Sequence, residues 1–287
     1  MSIVPQLVAN SLIAGSLYAL VALGFNLIFS TTKFFNITHG VISAIGGYGV
    51  FYFAKKLGWG VPVSILAAIA IAAFVGWLTD YFVFRKMRAK KSSSMIMLVA
   101  SLGLFTAIQA VIAIFFSSQF QTLPALVTGR VEIFGAIFTS IQIVILATTV
   151  VITLGLAFII KKTKFGKAVQ AVSDDVEVAQ IVGIKSDVII GRVFIIGSAI
   201  AAVAGIAIGF DTGIEPTMGM SLLLKGVIAS IIGGVGNVFG GVLGAFLLGF
   251  VENFGIWKIS GEWKDAIAFG LLIVFLIFRP QGMFKKK

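Results

Sequence analysis

The hydrophobic pattern divides the chain into long apolar runs that short polar links separate. Most of these runs approach the roughly 20 residues that a helix needs to cross a bilayer. The pattern therefore predicts a membrane helix bundle with nine crossings. The predicted spans are 4–29, 34–53, 61–84, 95–116, 140–160, 189–210, two short spans within 221–254, and 265–278.

Two of these regions carry signs of interrupted helices. Four glycines fall within 34–53, and 221–254 is short for two full crossings. Irregular backbone at membrane depth is tolerated only where it is buried in protein or lines a cavity. We therefore predict an all-α fold, a polytopic transmembrane helix bundle with about 8–10 membrane segments that include broken or short helices. Nine crossings would place the N-terminus outside, and a re-entrant segment in either region would change that count.

The polar links differ in charge, and this difference predicts which side of the membrane each one occupies. Basic residues concentrate in 85–91 and in the C-terminal 285–287, whereas 211–219 carries only acidic charges. Because cytoplasmic loops carry an excess of lysine and arginine, the basic links are predicted to be cytoplasmic. The sparsely charged link 117–138 is predicted to be external.

Residues 161–188, which we call the polar segment, form the longest charge-dense interval. The segment has five lysines and four acidic residues, and the charge pattern places it in the cytoplasm. Ser173 or Asp174 is predicted to cap a helix, with Glu177 in the position of a capping-box carboxylate. Gly183 is predicted to end that helix. A folded, charged segment between two spans suggests a docking surface, although an ordinary solvated loop is the alternative.

Composition and charge place the whole chain in the membrane as a single domain, 1–287. It is 59% hydrophobic and only 11% charged, whereas soluble domains carry about 25% charged residues. The net charge of +11 is spread over short clusters between spans, so it indicates membrane orientation and not nucleic acid binding. The chain has no cysteine, which excludes disulfides and thiolate metal sites. A multi-pass protein of the plasma or inner membrane, in contact with lipid, is therefore expected.

The chain offers little that could support catalysis. It lacks a phosphate-binding loop of the G-x-x-x-x-G-K-[ST] type, and its single histidine, His39, has no second metal ligand at a suitable spacing. We therefore expect a transport subunit with no enzymatic activity, no bound cofactor and no metal. Ion-coupled transporters usually place acids within their spans, whereas Asp80, Glu252 and Asp265 fall near predicted span ends. An ion-coupled transporter or channel, for which His39 and Glu252 would be the candidates, remains an alternative, as does a purely structural membrane subunit.

Polar and small residues supply the other candidate sites. Asn26, Asn36, Thr38 and His39 flank a predicted helix break, so we expect them to line a substrate pathway. The alternatives are that His39 is a structural histidine and that Asn26 only bridges helices. Two sets of glycines repeat every four residues and should therefore lie on helix faces where backbones approach closely. These are Gly205, Gly209 and Gly213, and Gly236, Gly240 and Gly244.

Four blocks in order along the whole chain resemble the permease subunits of branched-chain amino acid ABC importers, of the LivH/LivM type and closer to LivH. The blocks are GFNLIFSTTKFFNITHG at 24–40, TKFGKAVQAVSDDVEVAQIVGI at 163–184, LKGVIASIIGGVGNVFGGVLGAFLLGFVEN at 224–253 and WKDAIAFGLLIVFLIFRPQGMF at 263–284. The family also includes urea and amide permeases, so the resemblance leaves the substrate open.

The resemblance implies a set of partners and a role for the polar segment. The expected partners are a second homologous permease, two cytoplasmic ABC ATPases and an external substrate-binding protein. ATP would be used by the ATPases alone. The polar segment would be the coupling loop on which an ATPase docks, through Lys164, Phe165, Gly166, Asp174, Asp175, Glu177 and Gly183.

Overall fold

The computed structural model describes residues 3–124 and 129–284, and these form a bundle of apolar helices. Twelve α-helices follow one another along the described chain: α1 (Ile3–Thr32), α2 (Thr38–Val50), α3 (Val61–Thr79), α4 (Arg85–Ala89), α5 (Ser94–Phe116), α6 (Ser140–Lys162), α7 (Lys164–Asp174), α8 (Val176–Ile181), α9 (Ser186–Asp211), α10 (Met218–Gly233), α11 (Val238–Gly255) and α12 (Lys264–Phe278). All but α4, α7 and α8 coincide with predicted spans. The prediction of an all-α polytopic bundle is confirmed.

π-helical turns extend two of these helices. One turn, Phe51–Lys56, continues α2, and another, Asp80–Phe84, joins α3 to α4 in a single rod. The link 117–138, which was predicted to be external, contains a feature that helical periodicity does not predict. It is an antiparallel hairpin of β1 (Arg130–Ile133) and β2 (Ala136–Thr139), in register from Arg130 opposite Thr139.

Six of the described helical rods are long and apolar enough to cross a membrane. They are Ile3–Thr32, Val61–Ala89, Ser94–Phe116, Ser140–Lys162, Ser186–Asp211 and Val238–Gly255. The other three apolar helices, α2, α10 and α12, are shorter. With 16 residues, α10 rises about 24 Å at 1.5 Å per residue, less than the hydrocarbon thickness of about 30 Å. The expected division within 221–254 is present between α10 and α11, but α2 runs unbroken through the four glycines at which an interruption was expected.

Contacts at the two ends of α1 identify the two ends of the bundle. Gln6 exchanges two hydrogen bonds with the Ile137 backbone, so the start of α1 lies beside the hairpin. At the other end of α1, the Ser94 hydroxyl donates to the Lys33 carbonyl, next to the basic link 85–91. The start of α1 therefore lies at the end of the bundle opposite the basic link. The basic residues 285–287 lie outside the described part of the chain.

Helix α1 is the centre of the bundle and is buried along most of its length. Helices α10 and α11 pack too closely for a side chain at Gly240 or Gly244. A Cβ at Gly244 would overlap the carbonyl of Ala229, and a Cβ at Gly240 would overlap the carbonyl of Gly233. In the same way, Gly205 of α9 packs directly on the Ser43 backbone of α2. These glycines therefore allow close helix packing inside one chain.

Two of the six repeat glycines lie outside helices, so the expected four-residue face is wrong at those positions. Gly213 follows α9 with φ +100°, and Gly236 precedes α11 with φ +82°. Both occupy the left-handed region that side chains disfavour, so they shape turns and do not form helix faces.

Helices α2 and α10 both begin inside the bundle. The Thr38 hydroxyl donates to the carbonyl of Ser101, seven residues into α5, at 2.8 Å. At the start of α10, Gly219 meets Gly40 backbone to backbone, and a Cβ on either glycine would lie 2.5 Å from the other's carbonyl oxygen. The first turns of two short helices therefore meet within the bundle, and the links 33–37 and 212–217 complete their crossings.

Candidate functional site

The four predicted pathway residues do not form one site. Asn26 is fully buried, and its amide donates to Ser230 of α10 while accepting from the Gly236 N–H. This pair of hydrogen bonds joins α1 to α10 and to the turn that follows α10. Asn26 therefore bridges helices, which is the alternative that the sequence left open.

His39 and Thr38 are also buried among helices. The His39 ring lies against Gly24 of α1, and a Cβ at Gly24 would come within 2.9 Å of its Nε2 and also meet the Gly197 carbonyl of α9. Neither ring nitrogen makes a hydrogen bond of good geometry within the described chain, although the Val21 backbone lies close enough to interact. Thr38 is held by α5 through its bond to Ser101. Both residues fix the start of α2.

Asn36 differs from the other three because it lines a cavity. The cavity has a volume of about 240 Å³ and lies between α1, the 33–37 link, α5 and α10. Apart from Asn36, its walls are aliphatic and aromatic, and they include Phe25, Leu98, Leu223, Leu224 and Val227. Asn36 is 4% exposed, and its Oδ1 has no hydrogen-bond partner in the described structure. We call this space the aliphatic cavity.

A buried ionic cluster lies at the middle of α10. Glu252 of α11 is fully buried, and its carboxylate lies 2.5 Å from the Lys225 ammonium of α10. Tyr18 of α1 donates to the same carboxylate at 2.7 Å, and Asp265 of α12 contacts Lys225 at 2.7 Å. Lys264 lies 3.8 Å from Glu252. The cluster therefore joins α1, α10, α11 and α12.

The sequence reading missed this cluster. It placed Glu252 and Asp265 near span boundaries, and it did not consider Lys225, which lies among apolar residues of the 224–253 block. A lone lysine in such a run is itself a signal, because an intramembrane cation requires a partner. The partner is Glu252, whose buried negative charge would be strongly destabilising if it were left unpaired.

The polar segment is folded as two helices docked on the bundle. The Thr163 hydroxyl accepts from the Gly166 N–H and starts α7, and the Gln170 amide donates to the Ile160 carbonyl. Gly166 is buried, because a Cβ there would overlap the carbonyl oxygens at the end of α6. Phe165 is partly buried and packs on the main core. Lys164 is exposed at the same turn.

The second helix of the polar segment begins one residue later than predicted. Asp175, and neither Ser173 nor Asp174, caps α8, accepting from the N–H groups of Glu177 and Val178 at 2.8 and 3.0 Å. The reason is that Ser173 and Asp174 end α7, a helix that the sequence reading did not separate. Glu177 therefore lies at the second helical position, two residues past the cap, and not at the third as a capping box requires.

The predicted end of this helix is confirmed. Gly183 has φ +86°, its N–H donates to the Gln180 carbonyl, and the Ile184 N–H donates to the Ala179 carbonyl. These two bonds form a Schellman motif. The stiff tip between Asp175 and Gly183 exposes apolar side chains, with Ile181 83% exposed and Val182 69% exposed.

An ion network ties the exit of the polar segment to the α3–α4 rod. Arg88 donates to Asp80, which is 2% exposed, at 2.7 Å. Arg88 and Arg85 also lie 3.6 and 3.3 Å from Asp187, in the first turn of α9. Asp80 is therefore a paired structural acid at the basic end of the bundle.

Comparisons with known proteins agree with this architecture. A family model described as "Branched-chain amino acid transport system / permease component" matches residues 7–276. The permease protein BraD of a high-affinity branched-chain amino acid transport system in Pseudomonas aeruginosa is 32% identical over 97% of this chain and 94% of its own length. The LivH permease protein of Escherichia coli has the same identity and coverage. LsrC of Salmonella paratyphi B, an autoinducer 2 import permease, is 26% identical over 77% of this chain and 63% of its own length.

Proposed function

Because the chain belongs to the branched-chain amino acid permease family, we propose that it is the membrane subunit of an ABC importer that carries branched-chain amino acids. It forms part of the substrate pathway and takes its energy from a separate ATPase. The similarity to BraD and LivH over nearly the whole chain supports this substrate class. The similarity to LsrC shows that the family also serves other substrates, so urea or amides stay as alternatives.

The observation that carries the proposal is the stiff apolar tip of α8 at the basic end of the bundle. Val178, Ile181 and Val182 are exposed there, and they lie outside the predicted membrane spans. Exposed apolar groups with a polar surround mark sites of protein association. We assign this tip as a contact with the ATPase, in addition to the predicted residue Phe165, which is partly buried.

The partners follow from the same reasoning. A second homologous permease would complete the pathway, two ATPases would occupy the basic side, and an external binding protein would deliver substrate beside the hairpin end. The chain itself would bind no ATP and no other cofactor. Among the described residues, no three His, Asp or Glu side chains cluster in a way that could hold a metal ion.

The ionic cluster bears on the alternative of an ion-coupled transporter. Such a mechanism needs a carboxylate that can exchange its cation during transport. The Glu252 carboxylate is fully buried, with Lys225 on one oxygen and Tyr18 on the other. This saturation favours a structural role for Glu252 and an external energy source.

The test is to place a charge on the α8 tip. Ile181→Asp changes an 83% exposed side chain, so folding should be unaffected. We expect the permease to reach the membrane normally while ATPase co-purification and ATP-dependent leucine uptake fall at least tenfold. The matched control is Phe134→Asp, which introduces the same charge in place of a 96% exposed apolar side chain at the opposite end. Normal ATPase binding and uptake by Ile181→Asp would refute the assignment of the tip.

A further inference from the structure

A single charged residue lies within the apolar stretch of α9. Arg192 is the seventh residue of this helix, and no other charged residue occurs between Asp187 and Asp211. At a rise of 1.5 Å per residue, Arg192 lies about 9 Å along the helix from its first residue. Helix α9 is one of the six rods that are long and apolar enough to cross a membrane. An arginine in such a helix is rare, and it requires an anionic partner or access to water.

Arg192 lines a cavity in the groove between α9 and the α3–α4 rod, which we call the α3–α9 groove. The cavity has a volume of about 250 Å³, and its walls include Trp77 and Tyr81 of the rod and Gly191 and Ile195 of α9. The Trp77 ring lies against the α9 backbone, because a Cβ at Gly191 would lie 3.7 Å from the indole Nε1. A guanidinium and an indole N–H group therefore border the same groove.

The chain itself does not supply an anion for Arg192. This side chain is exposed, and within the described residues it makes no hydrogen bond or ion pair. Two acids also line the groove, but other arginines engage both of them. Asp80 accepts from Arg88 at 2.7 Å, and Asp187 lies 3.3 Å from Arg85 and 3.6 Å from Arg88. Two arginines thus offset two acids, and the positive charge of Arg192 is left over.

The side chains around the groove are those of a membrane interface. Trp77 stacks on Phe74 and on Tyr81, with ring centroids 5.9 and 5.2 Å apart. Phe74, Tyr81 and Ile195 are exposed to the surroundings of the bundle. Tryptophan and tyrosine are enriched at the level of the lipid headgroups, and arginine there buries its stem along apolar surface while its charged end reaches the interface. This combination favours a lipid over a soluble protein as the occupant of the groove.

The charge of the neighbouring links favours an anionic lipid over a zwitterionic one. The groove lies at the basic end of the bundle, where Lys86, Lys90 and Lys91 are exposed in the basic link and Lys185 is exposed before α9. Basic side chains beside a membrane attract anionic lipids, and basic pockets between membrane helices bind anionic headgroups.

We propose that the α3–α9 groove binds the headgroup of an anionic phospholipid, with the Arg192 guanidinium and the Trp77 indole N–H donating to the lipid phosphate. The acyl chains lie along the apolar side chains of Phe74 and Ile195. The bound lipid therefore lies beside the ion pairs that tie the exit of the polar segment to the α3–α4 rod. This inference does not depend on the transported substrate, because it uses no residue of the pathway.

The test measures the lipid preference at Trp77 in the full-length permease, reconstituted in nanodiscs. Trp59→Phe, Trp257→Phe and Trp263→Phe, all at exposed positions, leave one tryptophan, at the groove. Its fluorescence is quenched with phosphatidylglycerol or phosphatidylcholine, each brominated on its acyl chains and tested at the same mole fraction. We expect phosphatidylglycerol to associate about fivefold more strongly, which corresponds to about 1 kcal/mol for one basic side chain at an anionic surface. Arg192→Gln should remove this preference, and loss of a charge from an apolar span should not impair insertion.

The matched control is Arg279→Gln, which removes the same charge from an exposed position after α12, outside the groove, and should keep the preference. Arg192→Lys retains the charge and should keep part of it. No preference with Arg192 present, or an equal loss in Arg192→Gln and Arg279→Gln, overturns the site in favour of diffuse surface charge. Inorganic phosphate in the buffer should leave the preference unchanged; if it abolishes the preference, the groove takes a free anion and the lipid assignment fails. Loss in Arg192→Gln alone, with unchanged quenching by phosphatidylcholine, supports the proposal.

Discussion

Loss of the Lys225 ammonium is expected to destabilise the bundle strongly. In Lys225→Met the stem is retained but the Glu252 carboxylate, which is fully buried, loses its cation at 2.5 Å. Removing one member of a buried ion pair typically costs about 3–5 kcal/mol. Tyr18 still donates to Glu252, and Lys264 lies 3.8 Å away, so we expect the lower end, about 3 kcal/mol. The lost contact with Asp265 adds little, because that carboxylate is 72% exposed.

A double-mutant cycle measures this coupling. Glu252→Gln removes the charge but keeps an acceptor for Tyr18, so in the double variant with Lys225→Met no charge is left unpaired in the core. We expect the double variant to be at least about 1.5 kcal/mol more stable than the sum of the two single losses implies. The free energy of unfolding would be measured by reversible denaturation of the purified permease in mixed micelles.

The control for this cycle is Lys264→Met, since Lys264 is 35% exposed and contacts Glu252 at only 3.8 Å. It should cost less than about 1 kcal/mol. The reasoning is refuted if Lys225→Met unfolds within 1 kcal/mol of the wild type, or if the two single losses simply add.

Three further predictions test other contacts. Asp175→Ala removes the α8 cap, so we expect a local loss of about 1 kcal/mol, seen as faster amide exchange in α8 while the bundle stays protected; unchanged exchange would contradict the cap. Gly219→Leu should prevent α10 from meeting α2 at Gly40, which membrane-insertion and protease-resistance assays would detect, whereas Gly103→Leu, at an open helix position, should be tolerated. Asn26→Leu should lower thermal stability, because the Ser230 and Gly236 groups lose a partner, and it should leave the leucine-to-valine uptake ratio unchanged.

Most of the fold follows from hydrophobic length and charge. Each predicted span coincides with an apolar helix, because the physical requirement for a span is local: about 20 apolar residues bounded by polar links. The glycines within 34–53 were misread, because α2 runs unbroken through all four of them, and Gly46 instead lets α2 pack on the Ala202 backbone of α9. The end of α8 at Gly183 was predictable because a left-handed turn after a helix strongly favours glycine.

The candidate site could be predicted only in part, because its contacts are tertiary. Asn26 and Asn36 look alike in the sequence, yet one is saturated by α10 and its following turn and the other lines a cavity. Lys225 and Glu252 are 27 residues apart, so no local pattern pairs them. The cap of α8 was misplaced for a related reason: both Asp174 and Asp175 are good cap residues, and only the docking of α7 decides between them.

The contacts also connect the polar segment to α2 through α9. The segment leads directly into α9, whose Asp187 is tied through Arg88 to the buried Asp80 at the end of α3. Further along, α9 packs on α2 backbone to backbone at Gly205 and Ser43, so no side chain is available to absorb a displacement. A shift of α9 must therefore move α2, and with it the link that holds Asn36 beside the cavity. The polar segment and the start of α2 are thus connected through close-packed helices, which are expected to move as units.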